Sequence, residues 1–207
     1  KLAAAKAKVI GLQIILSEPQ TDPGLSYIRQ LGALPGKNAN RGDVGTVLLK
    51  AEQDLNTDRR LAESIAHAGN IVLPTLFEMG PPLGKPDTSL PDYLQRQLVT
   101  KAIARDGNFG RLPPSRSITP PLPEFARGSA AIGHLNQNPD IDGGIRSEML
   151  IVDYYGSYFP SLALMLAAKS LNLEASDITI QIGENVKLGN LTIATDDNAL
   201  MYSSFYQ

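Results

Sequence analysis

The sequence predicts an α/β fold, a mixed β-sheet flanked by helices in three layers, with a long proline-rich surface excursion. Three observations carry that expectation. The helical run LAAAKAK feeds directly into VIGLQIIL, whose β-branched Val9, Ile10, Ile14 and Ile15 suit a strand buried on both faces. An amphipathic helix beginning near Thr57 leads into a second buried run, NIVLPTLF. Beyond residue 129 this alternation gives way to β-rich runs separated by Gly, Asn and Asp turn signals.

Taken in order, VIGLQIIL is expected as a central or near-central strand parallel to NIVLPTLF. Thr21 or Asp22 followed by Pro23 marks a helix start, because a side-chain oxygen caps free amides and proline at the first helical position loses no hydrogen bond. That helix should stop near Gly36. GTVLLKAEQDLN reads as helical, and Thr57 as the cap of a helix with Leu61, Ile65 and Ala68 on one face and Gly69 at its left-handed end. Pro74 implies that NIVLPTLF is an edge strand or reaches its end there.

From Met79 to Glu124 the chain is rich in proline, with one amphipathic helix expected over residues 92–103. SAAIGHLNQ and IRSEMLIVDYY should be strands, with antiparallel pairing around residues 129–154. SLALMLAAKSLNL is apolar almost all round, so it reads as a buried helix, too short to span a bilayer. ITIQIGENVKLGNLTIAT carries β-rich runs joined by Gly-Glu-Asn and Leu-Gly-Asn turns, and LMYSSFY is a final strand. Tyr154, Tyr155, Tyr158 and Phe159 gather around Gly156 as an aromatic core or a pocket wall.

With 207 residues, 43% of them hydrophobic, the chain can bury one sizeable core, and a single domain over 1–207 is expected. A net charge of −2 supplies no basic surface to concentrate nucleic acid, which is excluded as a partner. No apolar run reaches the roughly 18 residues that cross a bilayer, and KLAAAKAKVIG lacks the core of a signal peptide. The chain has no cysteine, which removes disulfides, thiolate metal sites and cysteine nucleophiles.

The segment GHLNQNPDIDGGIR, residues 133–146, concentrates the polar chemistry. Asn138, Asp140, Asp142 and Gly143 follow the first half of a calcium loop, but Met149 stands where the twelfth-position carboxylate belongs. His134 and Asn136 share one strand face while the aspartates lie in the turn beyond, so spacing sets up no acid–base pair. Asn-Pro-Asp and Asp-Gly-Gly read as a tight connection between two strands, the alternative being a loop shaped around a ligand. Arg146, just past that turn, either grips a carboxylate or phosphate or pairs with Glu148. The candidate ligand-binding residues are His134, Asn136, Asp142 and Arg146, and no catalytic, cofactor or metal site is expected. Hydrolase, nucleotide and zinc templates find no anchor elsewhere. His67 reads as a half-buried packing residue, and Asp58 as a partner of the dipole of its helix.

In chain order, LAAAKAKVIG, DLNTDRRLAESIAHAGNIVLP, AAIGHLNQNPDIDGGIRSEMLIV, YFPSLALMLAA and LGNLTIATDDNALMYSSFY resemble the second class of CHASE domains, extracytoplasmic sensory domains of cyclases and histidine kinases. A Gly-His or Gly-Phe strand, a D-x-D-G turn and an arginine just after it recur there as a unit, matched by Gly133, His134, Asp140, Asp142, Gly143 and Arg146. Gln13 stands where that family has an aspartate, and the family's extra first strand, its W-P-W-x-R-like helix start and its last buried strand have no counterpart. The chain is therefore expected to lie inside the family's usual boundaries at both ends.

The resemblance implies a non-enzymatic ligand sensor in a bacterial signalling protein, on the periplasmic face of the inner membrane. Such a domain passes a conformational or association change to a cytoplasmic cyclase, diguanylate cyclase or kinase. Its partners would be a small molecule or periplasmic protein as signal, and the membrane through segments outside this chain, with homodimerisation of the parent left open. The alternatives are a small α/β hydrolase or sugar-processing enzyme using a carboxylate pair such as Asp142 with Asp153, and an interaction domain built on the stretch from Met79 to Pro123.

Overall fold

A computed structural model describes residues 3–33, 41–86, 89–104 and 111–203. A 3-10 turn at Ala3–Ala5, in place of the expected helix end, leads to β1 (Ile10–Gly11). Three helices follow: α1 (Pro23–Ala33), α2 (Arg41–Leu55) and α3 (Thr57–Ala68). The Asp22 carboxylate accepts the Leu25 amide at the start of α1, as the Asp-Pro pair predicts. The expected end of α1 near Gly36 lies outside the described residues. At α3 the cap is Asn56, one residue before Thr57, and its Oδ1 accepts from the Arg59 amide. Gly69 closes α3 at φ 65°. On this helix Ile65 is fully buried, Leu61 is 37% exposed and His67 is exposed, so the expected packing role of His67 is not found.

The central strand is β2 (Ile71–Met79). Alternate residues of a strand present their amides to opposite edges. Asn70 and Val72 carbonyls accept from Ile10 and Leu12, so the even-numbered edge carries β1, in parallel. Ile71 and Thr75 carbonyls accept from Ala130 and Leu135, so the odd-numbered edge carries β5 (Ala131–His134), also parallel. Pro74 therefore sits within a central strand, a correction to its expected edge position. Its missing N–H falls on the even edge between the end of β1 and the last residue of β4 (Pro114–Thr119), which pairs antiparallel from Leu76 onward. The same gap explains why VIGLQIIL forms a strand of only two residues and why Ile14 is 63% exposed.

The proline-rich stretch is a surface excursion only in part. Residues 81–86 are exposed, but the stretch also supplies α4 (Asp92–Gln95), β3 (Lys101–Ala104), β4 and α5 (Pro123–Ala126). The single helix expected over 92–103 is thus one turn followed by a strand. Leu94 and Phe125 are fully buried, and they carry this stretch into the core.

After β5 come β6 (Ser147–Met149), β7 (Ile151–Tyr154), β8 (Ser157–Pro160) and α6 (Leu162–Ser170). The chain ends in β9 (Ile178–Ile182), β10 (Asn185–Leu188), β11 (Leu191–Ala194) and β12 (Leu200–Tyr202). The main sheet runs β1-β2-β4-β7-β8, with β5 on β2. A second sheet has the order β11-β10-β9-β3, and β12 pairs with β6. The antiparallel pairing expected between the strands flanking residues 133–146 is corrected, because β5 pairs parallel with β2 while β6 turns to β12.

The architecture is α/β, and its two cores lie on the two faces of β2 and β5. One joins Leu73, Phe77, Ile132 and Phe159 to Ile65 of α3 and Phe125 of α5. The other joins Val72 and Ala131 to Leu162, Met165 and Ala168 of α6 and to Ile178, Ile180 and Val186 of the second sheet. Ser161 caps α6 through its Oγ, which accepts the Leu164 amide. Burying Leu162, Leu164 and Met165 contributes roughly 1.5–3 kcal/mol each, an upper bound given a compact unfolded chain.

Candidate functional site

Residues 133–146 run from β5 to β6 as a polar loop. His134 lies at the end of β5, 1% exposed, with its ring edge-on to Phe77 at 6.3 Å between centroids. Neither ring nitrogen has a hydrogen-bond partner among the described residues, and burial pushes the imidazole down to about pKa 3. The ring is therefore neutral across the physiological range, a packing group inside the aromatic core of Phe77, Tyr154 and Phe159.

Asn136 continues the line of β5 with its side chain. Its Oδ1 accepts from the Phe77 N–H at 2.9 Å and its Nδ2 donates to the Phe77 carbonyl at 2.7 Å, so one amide side chain takes the place of a strand residue beside β2. Past Asn136 the chain turns. The Asp140 amide donates to the Gly144 carbonyl, the Gly143 amide to the Asp140 carbonyl, and the Gly144 amide to Asp142 Oδ1. Gly143 has φ 79°.

Arg146 closes the loop on itself. It reaches Asp140 at 2.7 Å and both carboxylate oxygens of Asp142 at 2.8 and 2.7 Å. This hydrogen bonding holds the Asp142 carboxyl down to about pKa 2 and raises the Arg146 guanidinium. The pairing expected with Glu148 gives way to the loop's own aspartates. Of the four candidate residues, Asp142 and Arg146 meet in an ion pair, while His134 and Asn136 turn into the sheet.

Carboxylates proposed for other chemistry are engaged locally. Asp153 accepts the Gly156 amide in the β7–β8 turn, apart from Asp142's bonds to Arg146. Asp58 accepts the Gln20 amide at the start of α3. A hollow of about 390 Å³ between α1 and α3 is lined by Arg59, paired with Glu63, by Arg29, paired with Glu52, and by Asp22, Asp58 and Glu124. Met149 is buried, and among the described residues no group of three or more His, Asp or Glu is placed to hold a metal.

A different hollow, of about 440 Å³, opens where β2 and β5 end. Met79 and Gly80 form one side, and Gln137 with Asn138 another. The β6–β12 pair supplies Met149 and Leu200, which face each other in register, and Asn198 precedes them. Arg111, Pro113 and Pro114 complete the rim. A Cβ at Gly80, which has φ 141°, would meet the Arg116 guanidinium, so glycine lets that side chain lie against the rim. Open α/β sheets bind ligands at the carboxyl ends of their strands, and this cleft occupies that place for the parallel pair β2 and β5.

The lining has a guanidinium and three carboxamides but no carboxylate, imidazole, hydroxyl or ammonium group. It can hydrogen-bond a ligand, yet it has no group to exchange a proton with one, since arginine stays charged. Of these lining residues, sequence reasoning weighed only Asn138 as a ligand, and that for calcium. They come from five separate segments, and no spacing rule joins them; the run Arg111-Leu-Pro-Pro next to a strand start was the one local signal.

An α/β scaffold with a cleft at its strand ends and no proton-transferring group in that cleft has the features of a binding domain. The chain belongs to the CHASE2 domain family, whose model matches residues 1–207. CHASE2 domains are extracytoplasmic sensory domains. Among the described residues no helix is long and apolar enough to cross a membrane. Comparison with curated proteins and with solved structures found no match.

Proposed function

We propose that this domain is the ligand sensor of a membrane-anchored bacterial signalling protein, placed on the periplasmic side of the inner membrane, and that its ligand sits in the cleft at the ends of β2 and β5. Filling the cleft shifts β12, and that shift reaches a cytoplasmic cyclase, diguanylate cyclase or kinase as a change of conformation or association. One observation carries the reading: Leu200 and Asn198 place the last described strand in the cleft wall, opposite residues held by the central sheet. In the family, by resemblance, the chain continues past this tyrosine-rich strand toward membrane helices.

His134, Asn136, Asp142 and Arg146 enter this reading as supports. Asn136 fixes the start of the loop that carries Gln137 and Asn138, and the pairing of Arg146 with Asp140 and Asp142 fixes its far side. The test is made in the full-length parent, in membranes. Asn198→Trp, which fills the cleft, should lock the output of the cytoplasmic domain at one level, whereas Lys85→Trp on the exposed stretch should not. A parent gene without hydrophobic segments of about twenty residues would overturn the reading. So would an output indifferent to the filled cleft.

A further inference from the structure

We infer that the cleft is built for a small organic carboxylate, an anion with one carboxyl group and an apolar body. The inference rests on the sensory reading only in taking the cleft as the ligand seat. Charge decides the sign. Arg111 is the single ionic group of the lining, in a chain whose net charge is −2. An ammonium ligand would find no anionic partner there.

Arg29, Arg59, Arg116 and Arg146 each have a carboxylate within salt-bridge distance, while among the described residues Arg111, like Arg60, Arg96 and Arg127, has none, and of those four only Arg111 lines this cleft. The side-chain amides of Gln137, Asn138 and Asn198, on the same lining, likewise make no hydrogen bond to a described residue. Four exposed side chains with no partner among the described residues thus line one hollow. Set over an apolar floor, one guanidinium and three carboxamides are an arrangement able to recognise an anion.

The geometry selects among anions. A phosphate dianion is usually met by several cations or by the free amides of a helix start, and this lining has one guanidinium and no helix start. A carboxylate matches the two-pronged guanidinium of one arginine. Met79, Met149, Leu200, Pro113 and Pro114 give the rest of the ligand an apolar bed, and the methionine side chains adapt to its shape. The carboxamides can donate to the second carboxylate oxygen or bond a hydroxyl on the body.

The experiment is amide chemical-shift titration of the 207-residue chain with benzoate, 4-hydroxybenzoate and hexanoate. Benzamide, benzylamine and inorganic phosphate serve as controls. At least one carboxylate should shift the amides of Gly80, Asn138 and Leu200 in a saturable manner, with the controls leaving them in place. Arg111→Gln should weaken that binding at least tenfold, and Arg96→Gln, at the C-terminal cap of α4 and outside the cleft lining, should not. Equal binding of benzamide, binding of phosphate at the same amides, or indifference to Arg111→Gln would overturn the carboxylate assignment, as would silence from every carboxylate. Each of those results leaves the sensor reading to be judged by the Asn198→Trp output in the parent, so the two can fail separately.

Discussion

His134 is the residue whose chemistry the structure changes most. A histidine between a glycine and a loop of aspartates invites a role as base or ligand; in the structure it is a neutral ring buried among aromatic side chains. Its consequence is a pH dependence of stability. The folded-state value, about 3, lies below the ordinary 6.5, so the unfolded chain takes up its proton first. The contribution of a neutral His134 is complete above about pH 6.5 and is lost as pH falls toward 3. Near pH 5 the loss comes to about 2 kcal/mol. Chemical denaturation at pH 7.5 and pH 5 should show this difference in the native chain and a much smaller one in His134→Phe. Equal losses in both would mean the ring is not the proton acceptor. Asp142 acts in a separate window, since its carboxyl, held down by Arg146, contributes above its ordinary value and loses that contribution only below about pH 4.

Gly143 gives the second residue-scale prediction. At φ 79° it occupies backbone that a β-branched residue adopts only with strain, so Gly143→Val should cost on the order of 1–3 kcal/mol. Asp140→Ala removes one of two aspartates from an exposed Arg146 and should cost less than Gly143→Val, because Asp142 keeps its two-pronged contact. Unfolding midpoints in urea rank the variants. If Asp140→Ala is the more damaging, the loop is held by its charges and not by its turn.

At the scale of elements, the seat of α6 on β5 depends on one missing side chain. A Cβ at Gly133 would lie 2.7 Å from the backbone of Leu162 and Ser161, atoms that cannot swing aside. Gly133→Ala should therefore move α6 and destabilise the chain by about 1–3 kcal/mol, with a broadened core signal in proton NMR; a tolerated alanine would show that α6 has room to rise. The sequence revealed elements unevenly for physical reasons. α3 was readable from its apolar face and glycine end, though its cap is Asn56 and not Thr57, and α6 from a run apolar almost all round, because these are local features. β2 was readable from its apolar run, yet its place was not, because the sequence shows that Pro74 lacks an N–H but not which edge would have needed it. The helix expected over 92–103 failed where a short amphipathic run met a partner strand, β9, that lies far along the chain.

Across the whole molecule, the α/β class was readable from the order of helical and β-rich runs, whereas the candidate cleft was not, because its walls meet only once β2, β5, β6 and β12 are assembled. The same assembly predicts a gradient of local stability. Amides of Val72, Leu73, Ala131 and Ile132, in strands with fully buried side chains on both faces, should exchange with solvent slowest. Those of α1 and α2, which pack mainly on each other and leave Tyr27, Leu31, Val47 and Leu49 largely exposed, should exchange faster. Hydrogen exchange read residue by residue checks the order, and helices as protected as β2 would mean that some other surface covers them.

One feature of the sheet bears on how such a molecule could move. The outermost rung beside Phe77 is made by the amide group of Asn136, not by peptide backbone. A rung of that kind can be let go by rotation about two side-chain bonds, with no strand peeled away and no change of register below it. The segment beyond it, from Gln137 to Arg146, is braced internally by its own turn and ion pairs, so once let go it would swing as a preformed piece. The sheet thus has a detachable last step, and what is bolted to that step can shift while the floor beneath it stays where it is.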